Sequence, residues 1–197
     1  MKLYYSPGAC SLASHIALEE SAADYEAVKV DLKTHKTEQG QDFFQISPRG
    51  YVPALDTEDA GLLTENAAVL SWLADHGRNP PRPVHRYKIL EWIGFTGTEI
   101  HTAFHPLFHE AAEKERAAAR QKLTSRFTLA GELMGNAEWL VGDAPTVADN
   151  YLFVMTLWAE KMKIDVPLRL AQFRDRNLQR EPVKRAMTAE KNLQHNS

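Results

Sequence analysis

The stretch Lys2-Leu3-Tyr4-Tyr5-Ser6-Pro7-Gly8-Ala9-Cys10-Ser11-Leu12-Ala13-Ser14-His15-Ile16 decides how the chain begins. Lys2 to Tyr5 is a short apolar run of strand length, and Ser6-Pro7-Gly8 breaks it. From about Ser11 the apolar positions Leu12 and Ile16 lie four apart, the spacing of one helix face. Val28 and Val30 then alternate with Lys29 and Asp31, which predicts a second strand. Strand, helix and strand in that order open a βαβ unit. Beyond it the sequence predicts a helical patch around Phe43, Phe44 and Ile46, a turn at Ser47-Pro48-Arg49-Gly50, strands near Val52 to Asp56 and Leu62 to Thr64, and a helix through Val69, Leu70, Trp72 and Leu73. The order β-α-β-α-β-β-α implies a small mixed sheet flanked by helices.

Gly77-Arg78-Asn79-Pro80-Pro81-Arg82-Pro83 then gathers three prolines and a glycine into seven residues. Neither helix nor strand runs through such a segment. It divides an α/β domain over 1–77 from the remainder of the chain, with 78–84 as linker. From 85 to 197 strand signals are almost absent and Ala, Leu, Glu, Lys and Arg dominate, so this part reads as all-helical. The mixed charge of Ala112 to Lys122 reads as a solvated helix surface. Pro145-Thr146-Val147-Ala148-Asp149 places a hydroxyl and a carboxylate three residues apart, a reciprocal cap for the helix through Tyr151, Leu152, Met155 and Trp158. The expected fold class is α/β followed by all-α.

With 197 residues, 44% apolar, 25% charged and a net charge of -3, the chain has no electrostatic reason to seek nucleic acid. No apolar run approaches the roughly 20 residues that cross a bilayer, and Met1-Lys2-Leu3-Tyr4-Tyr5 lacks the apolar stretch of a signal peptide. A cytoplasmic protein with no membrane partner is expected. A single cysteine, Cys10, excludes an internal disulfide and a multi-thiolate zinc site.

Cys10 falls where the first strand turns into the first helix. Unpaired amides and the helix dipole there favour a thiolate, and such thiols titrate at roughly 3.5 to 7.5 against about 8.5 when free. A cysteine buried among apolar groups would instead be inert. Val52-Pro53 opens a strand, where a cis bond would turn backbone groups toward a peptide-like ligand and a trans bond would mark an ordinary sheet edge. Glu65-Asn66 precedes a helix, so Asn66 can cap it while Glu65 meets an ammonium group. His101, His105 and His109 recur every four residues. Pro106 interrupts them and no matching carboxylate motif is present, so a solvated or pocket-lining stripe is expected and no metal site.

Taken together, Tyr5-Ser6-Pro7-Gly8-Ala9-Cys10-Ser11, Val52-Pro53, Glu65-Asn66 and Thr146-Val147-Ala148-Asp149 resemble the cytosolic glutathione S-transferases, specifically the bacterial beta class with its active-site cysteine. The resemblance spans nearly the whole chain. It implies a thioredoxin-like N-terminal domain that holds glutathione, a C-terminal helical-bundle domain that supplies most of a second-substrate pocket, and a homodimer. It also implies that glutathione is a co-substrate and that no other cofactor is needed.

Carried over by position, Cys10 and His101 would be the catalytic pair at the glutathione sulfur, and a cis Val52-Pro53 would pair with the cysteinyl backbone. Glu65 and Asn66 would hold the γ-glutamyl end, and His35 would meet the glycyl carboxylate in place of a more basic residue. Thr98, Glu99 and His101 would form the helical domain's contribution to glutathione binding. Phe104 and Trp158 would line the pocket for a small apolar electrophile or equally belong to the core. Gly94 and Thr102 stand where relatives can offer a polar side chain and a lysine. The activity implied is conjugation. Thiol-disulfide exchange through Cys10, or non-catalytic ligand binding, are the alternatives, and Tyr5 or Ser11 could replace Cys10 as the hydroxyl that stabilises a thiolate.

Overall fold

A computed structural model describes residues 1–78 and 80–192. Asn79 of the expected linker, and residues 193–197 at the end of the expected helical domain, lie outside the described residues. The described residues form two compact units, one of residues 1–78 and 80–82 with 179–192 and one of residues 83–178.

The first unit is built on five strands: β1 (Lys2–Tyr5), β2 (Glu26–Asp31), β3 (Lys36–Thr37), β4 (Ala54–Thr57) and β5 (Gly61–Thr64), in the order β3-β2-β1-β4-β5. β1 runs parallel to β2, with Lys2 opposite Glu26, and antiparallel to β4, with Leu3 opposite Leu55. The parallel pair needs a crossover, and α1 (Leu12–Ser21) supplies it. One set of alternating side chains, Tyr4, Val28, Val30, Val52 and Ala54, closes over Phe43 as a buried cluster. Leu3, Tyr5 and Leu55, at the intervening positions, are wholly buried. This is the small mixed sheet with flanking helices that the sequence predicts, a thioredoxin-like arrangement.

One local expectation changes, and one strand is added. The patch around Phe43 is one 3-10 turn, Phe43–Gln45, because Asp42 caps it by accepting the Phe44 N–H at 3.0 Å and Pro48 ends it. The short β3 escapes a periodicity argument because two residues hold no period. α2 (Asn66–His76) then closes the sheet.

In the second unit α3 (Pro83–Phe95) continues through a wide π turn at Thr96–His101 and a 3-10 turn at Thr102–Phe104 into the short α4 (His105–Phe108). α5 (Glu113–Met134), α6 (Val147–Lys161) and α7 (Leu168–Leu178) complete it. Thr146 caps α6 as expected: the buried Asp149 accepts the Thr146 N–H at 2.7 Å and hydroxyl at 2.8 Å, and the Leu140 N–H at 2.9 Å. Burial pushes the Asp149 carboxyl up to about 6 while those donors pull it down. No helix among the described residues is long and apolar enough to cross a membrane.

The last helix, α8 (Glu181–Asn192), corrects the expectation of one helical domain over 85–197. It packs on α1 and belongs to the first unit. Val183 and Ala186 are fully buried there, while Arg185 donates to Glu19 at 2.6 Å and Arg180 pairs with Glu20. Helical composition announces a helix but not the surface that will cover its apolar face.

Gly94 lies inside α3, and a Cβ built there meets nothing within 4 Å. Gly94→Ala should therefore raise stability by about 0.5–1 kcal/mol, since glycine surrenders more backbone freedom on folding than alanine. Urea denaturation measures this, and a destabilised variant would contradict it.

Candidate active site

The loop between β1 and α1 is tied at both ends. Ala9 donates to the Ser6 carbonyl at 3.0 Å, and the Ser6 N–H donates to Ser11 Oγ at 3.2 Å. Gly8 takes φ of +70°, a value that favours glycine. Its N–H reaches across to Glu190 Oε2 of α8 at 2.8 Å, and Glu190 Oε1 lies 3.1 Å from Nδ1 of the buried His15. Nothing in the sequence pattern singles out Glu190, because this contact joins residues 182 positions apart.

Cys10 is placed two residues before Leu12, as the sequence predicts, but not as a thiolate. The residue is 9% exposed, and its Sγ donates to the Val52 carbonyl at 3.4 Å. Burial pushes the thiol up to about 11, against hydrogen bonds from the Asn66 side chain and from the backbone of Cys10 and Ser11 that pull it down. The amides of the helix start are present, but desolvation outweighs them. Iodoacetamide should therefore label Cys10 of the ligand-free protein slowly at pH 7, with a rate rising about tenfold per pH unit toward pH 10. Mass spectrometry reads the labelling, and a rate already level at pH 8 would refute the burial argument. The folded thiol also holds its proton more tightly than an unfolded one, so stability falls as pH rises from 9.0 toward about 11.

The hydroxyls considered as substitutes for Cys10 are not available as they stand. Tyr5 is wholly buried against His15, with ring centroids 5.2 Å apart, and burial raises its phenol far above the ordinary range. Ser11 is equally buried and engaged with Ser6. Sequence position could not separate exposed from buried hydroxyls.

The Val52-Pro53 peptide is cis. Glu65, with φ of 69°, is the N-cap position of α2, so Asn66 is the helix's first residue and not its cap. Asn66 is 8% exposed and its Oδ1 has no hydrogen-bond partner, a polar atom of the kind that receives a ligand's N–H. Glu65 is exposed and paired with Arg49. His35 has φ of 51° and lies against Phe44 with ring centroids 4.4 Å apart, leaving its buried Nδ1 unpartnered. Gly50 makes room for that stack, since a Cβ there would fall 2.6 Å from the Phe44 ring and 3.1 Å from His35 Nδ1.

The second unit holds the other expected residues. His101 ends the π turn, and its Nδ1 lies 2.7 Å from the Tyr151 hydroxyl. Trp158 meets the same imidazole at 5.1 Å and 67°. Tyr151 and Trp158 are seven apart on α6, two turns along one face, a spacing from which Tyr151 could have been named. Glu99 lies 3.6 Å from Arg126, and the exposed Thr98 hydroxyl donates to the Gly94 carbonyl at 2.9 Å. Thr102 likewise turns its hydroxyl back to the Thr98 carbonyl.

Phe104 is wholly buried among Phe108, Phe127 and Trp158, so it is core and has no surface with which to touch a ligand. Phe108, 46% exposed and 4.7 Å from Trp158, is an aromatic residue with accessible surface that no sequence signal marked. The histidine stripe is broken by the change from π to 3-10 to α geometry. His105 and His109 lie against each other, tilted, with centroids 4.3 Å apart, while His101 turns to Tyr151. Among the described residues no three His, Cys, Asp or Glu side chains come together as metal ligands would.

A cysteine at the start of the first helix, a cis-proline ahead of β4 and a polar start to the next helix lie in a thioredoxin-like unit, joined in this chain to a helical one. Comparison with known proteins gives the family. Residues 8–76 match the glutathione S-transferase N-terminal domain and residues 95–180 its C-terminal domain. Glutathione S-transferase GstA of Escherichia coli O157:H7 is 39% identical over 198 residues, which cover 96% of this chain and 98% of that protein. BphK, a bacterial glutathione transferase solved as a ternary complex, superposes with a TM-score of 0.91 at 40% identity, covering 96% and 99% of the two chains. A sphingomonad glutathione S-transferase solved with glutathione gives 0.88 at 40% identity over 96% and 98%, and the beta-class enzyme of Sphingomonas chungbukensis 0.88 at 38% over the same shares. The chain belongs to the glutathione S-transferase family.

Proposed function

We propose that the protein is a glutathione transferase of the beta class that takes glutathione as co-substrate and joins its sulfur to an electrophilic carbon of a small apolar compound. In the step, the glutathione thiolate forms a sulfur–carbon bond, the leaving group departs with its electron pair, and the thiol proton goes to solvent. The observation that carries the reading is the polar cluster at Cys10. A protonated thiol shares its surroundings with the buried, unpartnered Asn66 Oδ1, beside the cis Val52-Pro53 peptide just ahead of β4, whose Val52 carbonyl already accepts a hydrogen bond. Such groups suit a peptide that carries a thiol. The complex of the sphingomonad relative with glutathione supports the same reading.

In this reading Cys10 acts as a donor. Its S–H, now given to Val52, would turn to the glutathione sulfur and stabilise it as the anion. Asn66 and Glu65 would take the γ-glutamyl group, His35 the glycyl carboxylate, and His101 would be a second donor to the sulfur, with Thr98 and Glu99 beside it. Trp158 and Phe108 would offer apolar surface to the electrophile. Disulfide exchange needs Cys10 itself as an attacking thiolate, which burial opposes. A homodimer would cover exposed apolar side chains, and Val84, Tyr87 and Leu90 at the start of the second unit are of that kind. A cytoplasmic location fits a lone thiol kept reduced. Calorimetry with millimolar glutathione and an assay with an activated aryl halide test the proposal. Heat of binding together with glutathione-dependent conjugation is expected, and the absence of both would refute it.

A further inference from the structure

His101 and Tyr151 lie in the same compact unit, and their contact is short and well aimed. Nδ1 is 2.7 Å from the phenolic oxygen, and the two rings meet edge to face at 84°. Tyr151 is 3% exposed and Trp158 8%, so the tyrosine that grips the imidazole and the indole packed on it are both held by the core of α6. The π turn at Thr96–His101 brings the histidine to this face: its extra residue shifts His101 relative to a continuous α3. The imidazole is therefore restrained in both position and rotation.

A neutral imidazole carries one proton, and the hydrogen bond at one nitrogen decides which nitrogen bears it. The phenol O–H is the stronger donor of the two groups, and the unprotonated imidazole nitrogen is a better acceptor than a phenol oxygen. The favoured arrangement is O–H of Tyr151 to Nδ1 of His101, which places the ring proton on Nε2.

We infer that Tyr151 is a positioning residue that holds His101 as its Nε2–H tautomer, so that a neutral imidazole acts as a hydrogen-bond donor toward an anionic sulfur. The inference rests, for its link to catalysis, on the role given to His101 above. A histidine in the other tautomer would present a lone pair from Nε2 and repel a thiolate. Tyr151 thus selects between a donor and an acceptor without touching the substrate, and no proton is transferred in doing so.

Nitrogen-15 NMR of the histidine-labelled full chain above the histidine titration range tests this directly, with a His101→Gln variant to identify the signals. The expected spectrum has a protonated Nε2 and an unprotonated Nδ1 for His101. In Tyr151→Phe those two shifts should move toward each other as both tautomers become populated. The same variant should lose roughly tenfold in conjugation rate with little change in KM for glutathione, as when one hydrogen bond to a charged group is weakened. A wild-type spectrum with the proton on Nδ1 overturns the inference whatever the activity, as does a spectrum unchanged by Tyr151→Phe. If the tautomer is as expected but His101→Gln keeps full activity, the role of His101 at the sulfur fails, and with it the inferred catalytic purpose of Tyr151.

Discussion

Glu190→Ala should cost the protein about 3–5 kcal/mol of stability, a large share of what a domain of this size possesses. His15 is 1% exposed and its Nε2 already lacks a partner, so removing Glu190 Oε1 from 3.1 Å orphans the second ring nitrogen as well. The ring packs against Tyr5 and Tyr25, with centroids at 5.2 and 5.8 Å. The same substitution removes the acceptor that draws the Gly8 N–H to α8 at 2.8 Å, loosening the loop that carries Cys10. Glu190→Gln keeps an oxygen and the side-chain length and should recover more than half of the loss. Urea unfolding with an unchanged m-value measures both. A cost below 1 kcal/mol for the alanine variant would mean that α8 is held mainly by Val183, Ala186 and the Arg185–Glu19 and Arg180–Glu20 pairs.

How much of this was legible in the sequence depended on the range of the interactions involved. β1, α1 and α2 are local: alternation, a break at Pro7-Gly8 and an i to i+4 spacing sufficed to locate them, and the capping pair Thr146 and Asp149 was found because both groups lie within one helical turn. The cysteine's position was legible for the same reason. Its protonation was not, because it balances burial by tertiary packing against hydrogen-bond partners far along the chain, Val52 and Asn66 lying 42 and 56 residues away. Glu190 met its partners through tertiary packing of α8, for which the sequence carries no period. Phe104 and Phe108 are four apart, and only the packing of Phe127 and Trp158 around the first decides which is core and which is surface. The π turn before His101 likewise has no composition of its own, so the three histidines read as one stripe until the backbone separated them.

Cys10→Ala should lower conjugation by about 10- to 100-fold in kcat/KM, and any disulfide exchange should disappear altogether. The magnitude follows from the loss of one hydrogen bond to an anionic sulfur, worth roughly 1.5–3 kcal/mol. Had the sulfur been held by a hydroxyl, the alanine variant would keep its rate. Tyr5 is buried with its phenol raised by desolvation, and Ser11 is buried and committed to Ser6, so neither can take over without rearrangement. Cys10→Ser separates donor from nucleophile. A serine hydroxyl can still donate to the bound thiolate, so conjugation should return to within about threefold of the parent, whereas exchange stays absent because no sulfur remains to form the mixed disulfide. Kinetics with an activated aryl halide and with a glutathione mixed disulfide, each across pH 6 to 9, read the two reactions separately. For the alanine variant the pH profile of conjugation should move upward, since the bound thiol loses a group that favours its ionised form. A Cys10→Ala enzyme with conjugation within twofold of the parent and an unmoved profile would show that the buried thiol takes no part in stabilising glutathione's sulfur, and would shift the burden of that step to His101.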